Sequence, residues 1–160
     1  MDPTGRHCKG FTLIELMVVV VVATILLSIA VPSYMQQLRE SRRTEAKTAL
    51  LDLAGREERF LTTNPTGYTL VSTNLGYPAF PAQVGNGYYT ITVSCVAASG
   101  AALGCDPNPN APNGPSYYLV ATPVAGTSQA ADTQCTSFAV DSIGNQFSTG
   151  SYTSQQCWSH

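Results

Sequence analysis

The chain has 160 residues, only 11% charged side chains and a formal net charge of −2 at pH 7. All eight Lys and Arg residues lie at or before Arg59, so residues 60–160 have no Lys or Arg to hold nucleic-acid phosphates. The abundance of Thr, Ser, Gly, Asn and Tyr in that region is typical of an extracellular module of strands and turns. We therefore expect no direct binding of nucleic acid.

A run of 21 largely apolar residues, Phe11 to Val31, follows a short leader. A helix of this length rises about 31 Å, which is enough to cross the hydrocarbon core of a bilayer. Ser28-Ile29-Ala30 near its end is similar to the cleavage site of a secretory signal, but the run is longer than such signals and has Glu15 near its start. Neither a secretory signal nor a plain membrane anchor explains Glu15 or the Gly10-Phe11 pair.

The residues KGFTLIEL, at positions 9–16, closely resemble the class III signal of type IV pilins and related pseudopilins. The shared pattern is Gly, then Phe, then Glu four residues later, all before a long apolar helix. The resemblance implies cleavage by the prepilin peptidase between Gly10 and Phe11, on the cytoplasmic side of the membrane. It also implies N-methylation of the new Phe11 amine.

The chain is accordingly expected to comprise a cleaved leader (1–10), a transmembrane and filament-core helix (11–35) and a periplasmic or extracellular globular pilin domain (36–160). Before assembly it would cross the bacterial inner membrane once, with the leader in the cytoplasm; afterwards it would lie in the pilus at the cell surface. This orientation runs against the positive-inside rule, because more basic residues follow the apolar run than precede it.

Glu15 is a carboxylate in apolar surroundings, and such a group costs about 2.5–3.5 kcal/mol at the centre of a membrane helix. In a bundle of parallel helices, the charged Phe11 amine of a neighbouring subunit can lie beside it. Such a pair would set the axial stagger between subunits, as buried polar residues set register in coiled coils. Glu15 is thus the predicted assembly residue, and other pilin subunits are the predicted partners of this helix.

Pro32 is expected to kink the helix or interrupt its hydrogen bonds. Beyond it, apolar residues recur at three- and four-residue steps, namely Leu38, Ala46, Ala49, Leu50, Leu53 and Phe60. The charged residues between them predict a solvated helix face. Asn64-Pro65-Thr66-Gly67 ends the pattern, so one helix of about fifty residues is expected, apolar on all sides in its first half and amphipathic in its second.

After an ordered loop at 66–86, side chains alternate with the period of a β-strand, and Tyr89, Ile91 and Val93 share the predicted inner face. Residues 97–115 are expected to form a long exposed connection. Further strands are predicted at 116–124, 136–141 and 146–149. Three or four antiparallel strands against one long helix make an α+β fold.

The second half of the chain has an even set of cysteines, which indicates two disulfides and an oxidising compartment: Cys95, Cys105, Cys135 and Cys157. Spacing favours Cys95–Cys105 and Cys135–Cys157, although four cysteines allow three connectivities. There is no C-x2-C pair with a nearby His, and no calcium-loop pattern. Neither a metal nor another cofactor is expected.

Longer stretches resemble the PilE-like minor pilins of type IVa pili, and this resemblance covers nearly the whole chain: RRTEAKTALLDLAGREERF, GYYTITV, YYLVATPV followed by QAADTQC, and AVDSIGNQ followed by CW. It implies the pilin fold and a low-abundance subunit that primes or decorates the pilus. It also implies that Cys135–Cys157 closes the C-terminal D-region, and that the prepilin peptidase and the inner-membrane assembly platform are partners.

We expect no enzymatic activity, because the two histidines lie at the chain ends and leave the domain without an internal base. The tyrosine pairs Tyr88-Tyr89 and Tyr117-Tyr118 are expected to pack in strands rather than form an adhesive surface. The expected function is that of a minor pilin in fibre assembly, and hence in twitching motility and attachment. Two alternatives stay open: a pseudopilin of the type II secretion system, and a membrane-anchored periplasmic binding domain.

Overall fold

The computed structural model describes residues 11–64, 67–94 and 117–159. Its elements in chain order are helix α1 (Leu13–Thr63), a short 3-10 helix (Ser72–Leu75), strands β1 (Ala82–Val84), β2 (Tyr89–Ser94), β3 (Tyr118–Pro123), β4 (Ser137–Asp141) and β5 (Gln146–Thr149), and helix α2 (Ser154–Ser159). The chain divides into two compact units between Leu38 and Arg39. The predicted functional division at residues 10 and 35 stays a prediction.

Helix α1 contains 51 residues, as its sequence period predicted. In the unit that ends at Leu38, its apolar side chains are exposed, and none of the most apolar 18-residue window is buried. This is the one helix among the described residues that is long and apolar enough to cross a membrane. Two polar residues within it bond to the preceding turn, Thr24 Oγ1 to the Val21 carbonyl (2.8 Å) and Ser28 Oγ to the Ile25 carbonyl (2.7 Å). Their hydroxyl groups are therefore satisfied without water, as a bilayer requires.

Helix α1 continues through Pro32. Since proline has no backbone N–H, the usual hydrogen bond to the carbonyl four residues earlier, that of Ser28, is missing there. The kink expected at Pro32 stays a prediction.

In the second unit, α1 buries one stripe against an antiparallel sheet. Ala46, Leu50 and Leu53 are fully buried, and they share one core with Tyr89 and Ile91 of β2. The predicted helix stripe and inner strand face therefore meet, which confirms the α+β fold. Burying each large aliphatic side chain contributes about 1.5–3 kcal/mol, so this stripe is the main attachment of helix to sheet.

The sheet has five strands in the order β1-β2-β3-β4-β5, each antiparallel to its neighbours. Four of the strands, β2 to β5, match their predicted positions closely. The first strand was not predicted: Ala82–Val84 lies in the segment expected to be a loop, and it pairs with β2 at the sheet edge. Its three residues are too few to show a two-residue period.

The β1–β2 turn is attached to helix α1. Glu45 accepts hydrogen bonds from the backbone N–H of Asn86 (3.4 Å) and from its Nδ2 (3.0 Å). The turn begins at Gly85, whose positive φ of 59° is accessible to glycine without strain. This contact fixes the short edge hairpin to the helix.

Helix α2 was also not predicted. Thr153 and Gln156 cap its start reciprocally: the Thr153 N–H donates to Gln156 Oε1 (3.0 Å), and the Gln156 N–H donates to Thr153 Oγ1 (3.3 Å). This is a capping box, and the T-x-x-Q spacing at 153–156 is the signal that sequence reasoning overlooked.

Candidate functional site

At the start of helix α1, the predicted assembly residue Glu15 forms hydrogen bonds with Thr12, at the N-terminus of the same helix. Glu15 Oε2 accepts hydrogen bonds from the Thr12 backbone N–H (3.1 Å) and from Thr12 Oγ1 (3.0 Å). In return, Thr12 Oγ1 accepts the Glu15 N–H (3.3 Å). Sequence reasoning gave Glu15 a role between subunits but missed this capping box within one subunit, which the T-x-x-E spacing signals.

Both hydrogen bonds that the Glu15 carboxylate accepts in this cap go to Oε2. Phe11 precedes the capped turn and is 83% exposed. Gly10 lies outside the described residues, so the structure shows only the Phe11 side of the expected cleavage site. A chain that began at Phe11 would carry its amine one residue before the Thr12 cap. The Glu15 carboxylate lies in the same first turn, at the positive end of the helix dipole, where a negative charge is favoured.

The C-terminal part of the domain is closed by the disulfide Cys135–Cys157, as predicted. Both cysteines are buried, and the bond joins the segment before β4 to helix α2. The second expected disulfide, Cys95–Cys105, falls outside the described residues and stays a prediction.

A buried ion pair lies beside the disulfide. The guanidinium group of Arg43 on α1 donates to both carboxylate oxygens of Asp132, with Nε–Oδ2 at 2.7 Å and Nη2–Oδ1 at 2.8 Å. The two side chains are only 6% and 1% exposed. Oδ1 of Asp132 also accepts the backbone N–H groups of Gln134 (3.1 Å) and Cys135 (3.4 Å). One carboxylate thus joins the long helix to the chain leading into the disulfide.

The electrostatics of this pair follow from its contacts. Burial alone would raise the pKa of Asp132, but the hydrogen bonds and charge of Arg43, together with the two backbone N–H groups, hold that pKa below its ordinary value. Lys47, one turn along the helix, donates from Nζ to the Cys157 carbonyl (3.2 Å). Burial lowers the pKa of Lys47, and the nearby positive charge of Arg43 lowers it further.

These contacts correct one expectation. The charged residues of the amphipathic half were predicted to form a solvated face, yet Arg43 and Lys47 are buried, at 5% and 8% exposure. The prediction was wrong for them because their partners lie about ninety residues later, at Asp132, or farther along, at Cys157. The prediction holds for Asp52 and Arg56, whose side chains are partly exposed and form an ion pair with Nε–Oδ2 at 2.7 Å.

The strand tyrosines pack into the domain, as expected. Tyr89, Tyr117 and Tyr118 are buried. Tyr88 is partly buried beneath the guanidinium group of Arg42, whose Cζ lies 3.7 Å from the ring centroid. None of these four rings is therefore a freely exposed adhesive group.

The positive charges of the second unit are mostly engaged within it. Arg43 faces Asp132, Arg56 pairs with Asp52, and Arg42 donates to Ser128 Oγ (2.7 Å) besides covering Tyr88. Over residues 39–160 the sequence has six Lys and Arg against eight Asp and Glu. Within the described ranges, no group of three or more His, Cys, Asp or Glu is placed to hold a metal ion; the expectation that the protein uses none stays a prediction.

Comparison with known proteins gives two family matches and one curated relative. The model for the prokaryotic N-terminal methylation motif matches residues 5–31. The model described as type IV minor pilin ComP, DNA uptake sequence receptor, matches residues 32–139. The type IV major pilin protein PilA of Myxococcus xanthus (strain DK1622) is 44% identical over 52 residues, which are 32% of this chain and 24% of that protein.

The matched part thus spans about a quarter of the PilA relative, so that protein's own properties are not carried over. The motif and the apolar helix together place the chain in the inner membrane before assembly and at the pilus surface afterwards. Because the minor-pilin model covers more than half of the residues, the chain belongs to the ComP family of type IV minor pilins.

Proposed function

We propose that this chain is a structural minor subunit of a type IV pilus, which acts in fibre assembly and hence in twitching motility and attachment. In this proposal the prepilin peptidase cleaves between Gly10 and Phe11, the Phe11 amine is methylated, and the inner-membrane assembly platform transfers the subunit to the fibre. The globular part from residue 36 onward remains outside the filament core.

The observation that carries the proposal is the capped start of helix α1. It places a carboxylate, capped through Oε2, close to an exposed Phe11 and at the start of an apolar stretch whose side chains are exposed in the single subunit. An exposed apolar surface of this extent needs lipid or other subunits to cover it. A neighbouring subunit's Phe11 amine would then pair with Glu15, and the remaining apolar side chains would bury one another.

Two substitutions test the assembly role of Glu15. Glu15→Ala is expected to leave the protein in the membrane but to exclude it from sheared surface fibres. Glu15→Gln keeps an acceptor for the Thr12 cap but removes the charge. Exclusion of the Gln variant as well supports charge pairing. Normal incorporation of the Gln variant would show that capping alone explains the residue, and normal incorporation of the Ala variant would reject the assembly role.

Mass spectrometry of the mature N-terminus from sheared fibres tests processing and location together. The expected species begins with N-methylated Phe11. A chain that still begins at Met1 would reject the processing step, and absence from fibres would favour the membrane-anchored binding domain. Loss of protein secretion without loss of pili in a deletion strain would favour the type II secretion pseudopilin.

A second candidate function is DNA capture, favoured by the family description, which names a DNA uptake sequence receptor. The charge pattern of this chain argues against it, because three of the six Lys and Arg side chains of the second unit are buried or in an ion pair: Arg43, Lys47 and Arg56. The expectation of no direct DNA binding therefore stays a prediction. A gel shift of the domain from about residue 36 with duplex DNA tests it: a clear low-salt shift that weakens steeply with added salt would support the receptor function.

A further inference from the structure

Helix α1 also has a carboxyl group in the interior of the domain, that of Glu57. Glu57 is fully buried. Its Oε2 accepts the backbone N–H of Thr69 at 3.1 Å, and its Oε1 has no hydrogen-bond partner among the described residues. A buried carboxylate with an unsatisfied oxygen is unfavourable, whereas the neutral acid has one negative charge fewer to solvate.

The groups around Glu57 provide no compensating cation. On α1, the charged group that acts on it is Glu58, a like charge. On the following segment and before β3 lie two phenols, and both donate to Glu58 Oε1: Tyr68 at 2.9 Å and Tyr117 at 3.2 Å. Burial raises the pKa of both phenols, that of Tyr68 to about 12, so both are neutral at ordinary pH.

The nearby arginines of α1 are committed elsewhere. Arg56 pairs with Asp52 and donates from Nη1 to the Leu75 carbonyl (2.9 Å), with its guanidinium over the ring of Tyr77. Arg59 donates from Nε to the Gly55 carbonyl (3.2 Å). Neither contributes a counter-charge to Glu57.

Glu57 binds Thr69, whose side chain in turn binds the residues that follow it. We call residues 67–77 the docked segment. Within it, Thr69 Oγ1 accepts the Val71 N–H and Asn74 Nδ2, each at 3.1 Å. Thr69 is itself buried, and its backbone N–H is anchored by Glu57. The buried carboxyl group thus holds the docked segment through a hydrogen bond from a residue that is itself buried.

We propose that Glu57 is a proton-controlled latch for the docked segment: the neutral acid keeps residues 67–77 closed over helix α1, and loss of its proton drives them to open. Opening exposes the carboxylate to water, which removes the cost of its burial. This inference does not depend on the proposed role in the pilus, since it concerns a contact within one subunit.

The direction of the pH effect follows from linkage. Burial raises the pKa of Glu57 from 4.5 to about 7, and the charge of Glu58 adds to this, although the Thr69 N–H lowers it. The closed segment therefore holds its proton more tightly than the open one. Its stabilisation is complete below the ordinary pKa and is lost as pH rises towards 7. Between pH 5 and pH 8 the closing equilibrium should fall by about 70-fold.

Hydrogen–deuterium exchange of the full chain in detergent micelles tests the latch. Protection of the docked segment, corrected for intrinsic exchange, is measured from pH 5 to pH 8 and compared with that of strands β3 and β4. We expect protection of the docked segment to fall by tens-of-fold (about 70-fold at most) while the strands stay unchanged. The Glu57→Gln variant should lose this pH dependence, and the control Glu45→Gln, on the same helix but bound to Asn86 outside the docked segment, should keep it. A wild-type segment whose protection does not change with pH would overturn the proposal.

A direct titration covers the case in which Glu57→Gln fails to fold. Side-chain carboxyl carbons of the wild-type glutamates are followed by NMR over the same pH range. The resonance assigned to Glu57 should titrate near pH 7. If that resonance titrates below pH 5.5, Glu57 is ionised in the closed state and the latch does not exist.

Discussion

Breaking the buried ion pair between Arg43 and Asp132 should be among the most destabilising single changes in the domain. Asp132→Asn keeps the side-chain shape but leaves the Arg43 guanidinium in a site where it is only 6% exposed. Removing one partner of a buried ion pair costs about 3–5 kcal/mol. Since domains of this size unfold with about 5–15 kcal/mol in total, this loss is a large fraction of the stability.

Urea denaturation of the full chain in micelles, followed by the fluorescence of Trp158, measures this loss. The ring of Trp158 packs edge-to-face on Phe138, with centroids 5.8 Å apart, so its emission reports on the core beside the disulfide. The matched control is Asp52→Asn, which breaks an exposed pair with Arg56 at the same 2.7 Å distance. That control should cost at most about 0.5 kcal/mol. Equal losses in the two variants would refute the argument that burial makes the difference.

The same ion pair predicts that the folded domain loses stability at low pH. Because the pKa of Asp132 is lowered in the folded state, its stabilising contribution is present above the ordinary value of 3.8 and is lost as pH falls through the lower folded value. The Arg43→Met, Asp132→Leu double variant removes both charges of this pair but leaves the Gln134 and Cys135 N–H groups without their acceptor. It should therefore recover only part of the lost stability and should lose the acid dependence that comes from this pair.

The remaining predictions concern backbone constraints. Cys135→Ser should cost about 3 kcal/mol, because the disulfide closes a loop with a sequence separation of 22; the same loss should follow from reductant, measured by thermal denaturation. Gly150→Ala should cost about 2 kcal/mol or more, since Gly150 has φ +136° and a Cβ there would collide with the Gln134 carbonyl oxygen. Gly55→Ala, in an open position on α1, should instead stabilise by about 0.5–1 kcal/mol, and urea midpoints that moved in the same direction for both glycines would contradict this.

The periodic parts of the fold could be predicted from the sequence. The stripe of Ala46, Leu50 and Leu53 and the alternation from Tyr89 gave the helix and β2, because local patterns record which face each element buries. The short elements β1 and α2 could not be found in this way. A three-residue strand shows no period, and α2 is marked only by its cap at Thr153.

The candidate sites also differ in whether a local sequence pattern marks them. Glu15 is identified by a motif within eight residues, and the disulfide Cys135–Cys157 by a family resemblance. The buried polar contacts could not be predicted, although Arg43 and Glu57 fall on the buried helix stripe, three residues before Ala46 and four after Leu53. Their burial depends on Asp132 and on the docked segment, which only the tertiary fold brings to them. The hydrogen bonds between these residues cannot therefore be predicted from a short stretch of sequence.

The register of the sheet also has a practical use. Ser94, the last residue of β2, is paired directly with Tyr118, the first residue of β3. The two ends of the intervening sequence are therefore neighbours, and chains of very different length can leave and rejoin the sheet at this point for a small entropic cost. A foreign peptide could therefore replace residues 95–116 while the pairing of β2 with β3 and the buried ring of Tyr117 are kept.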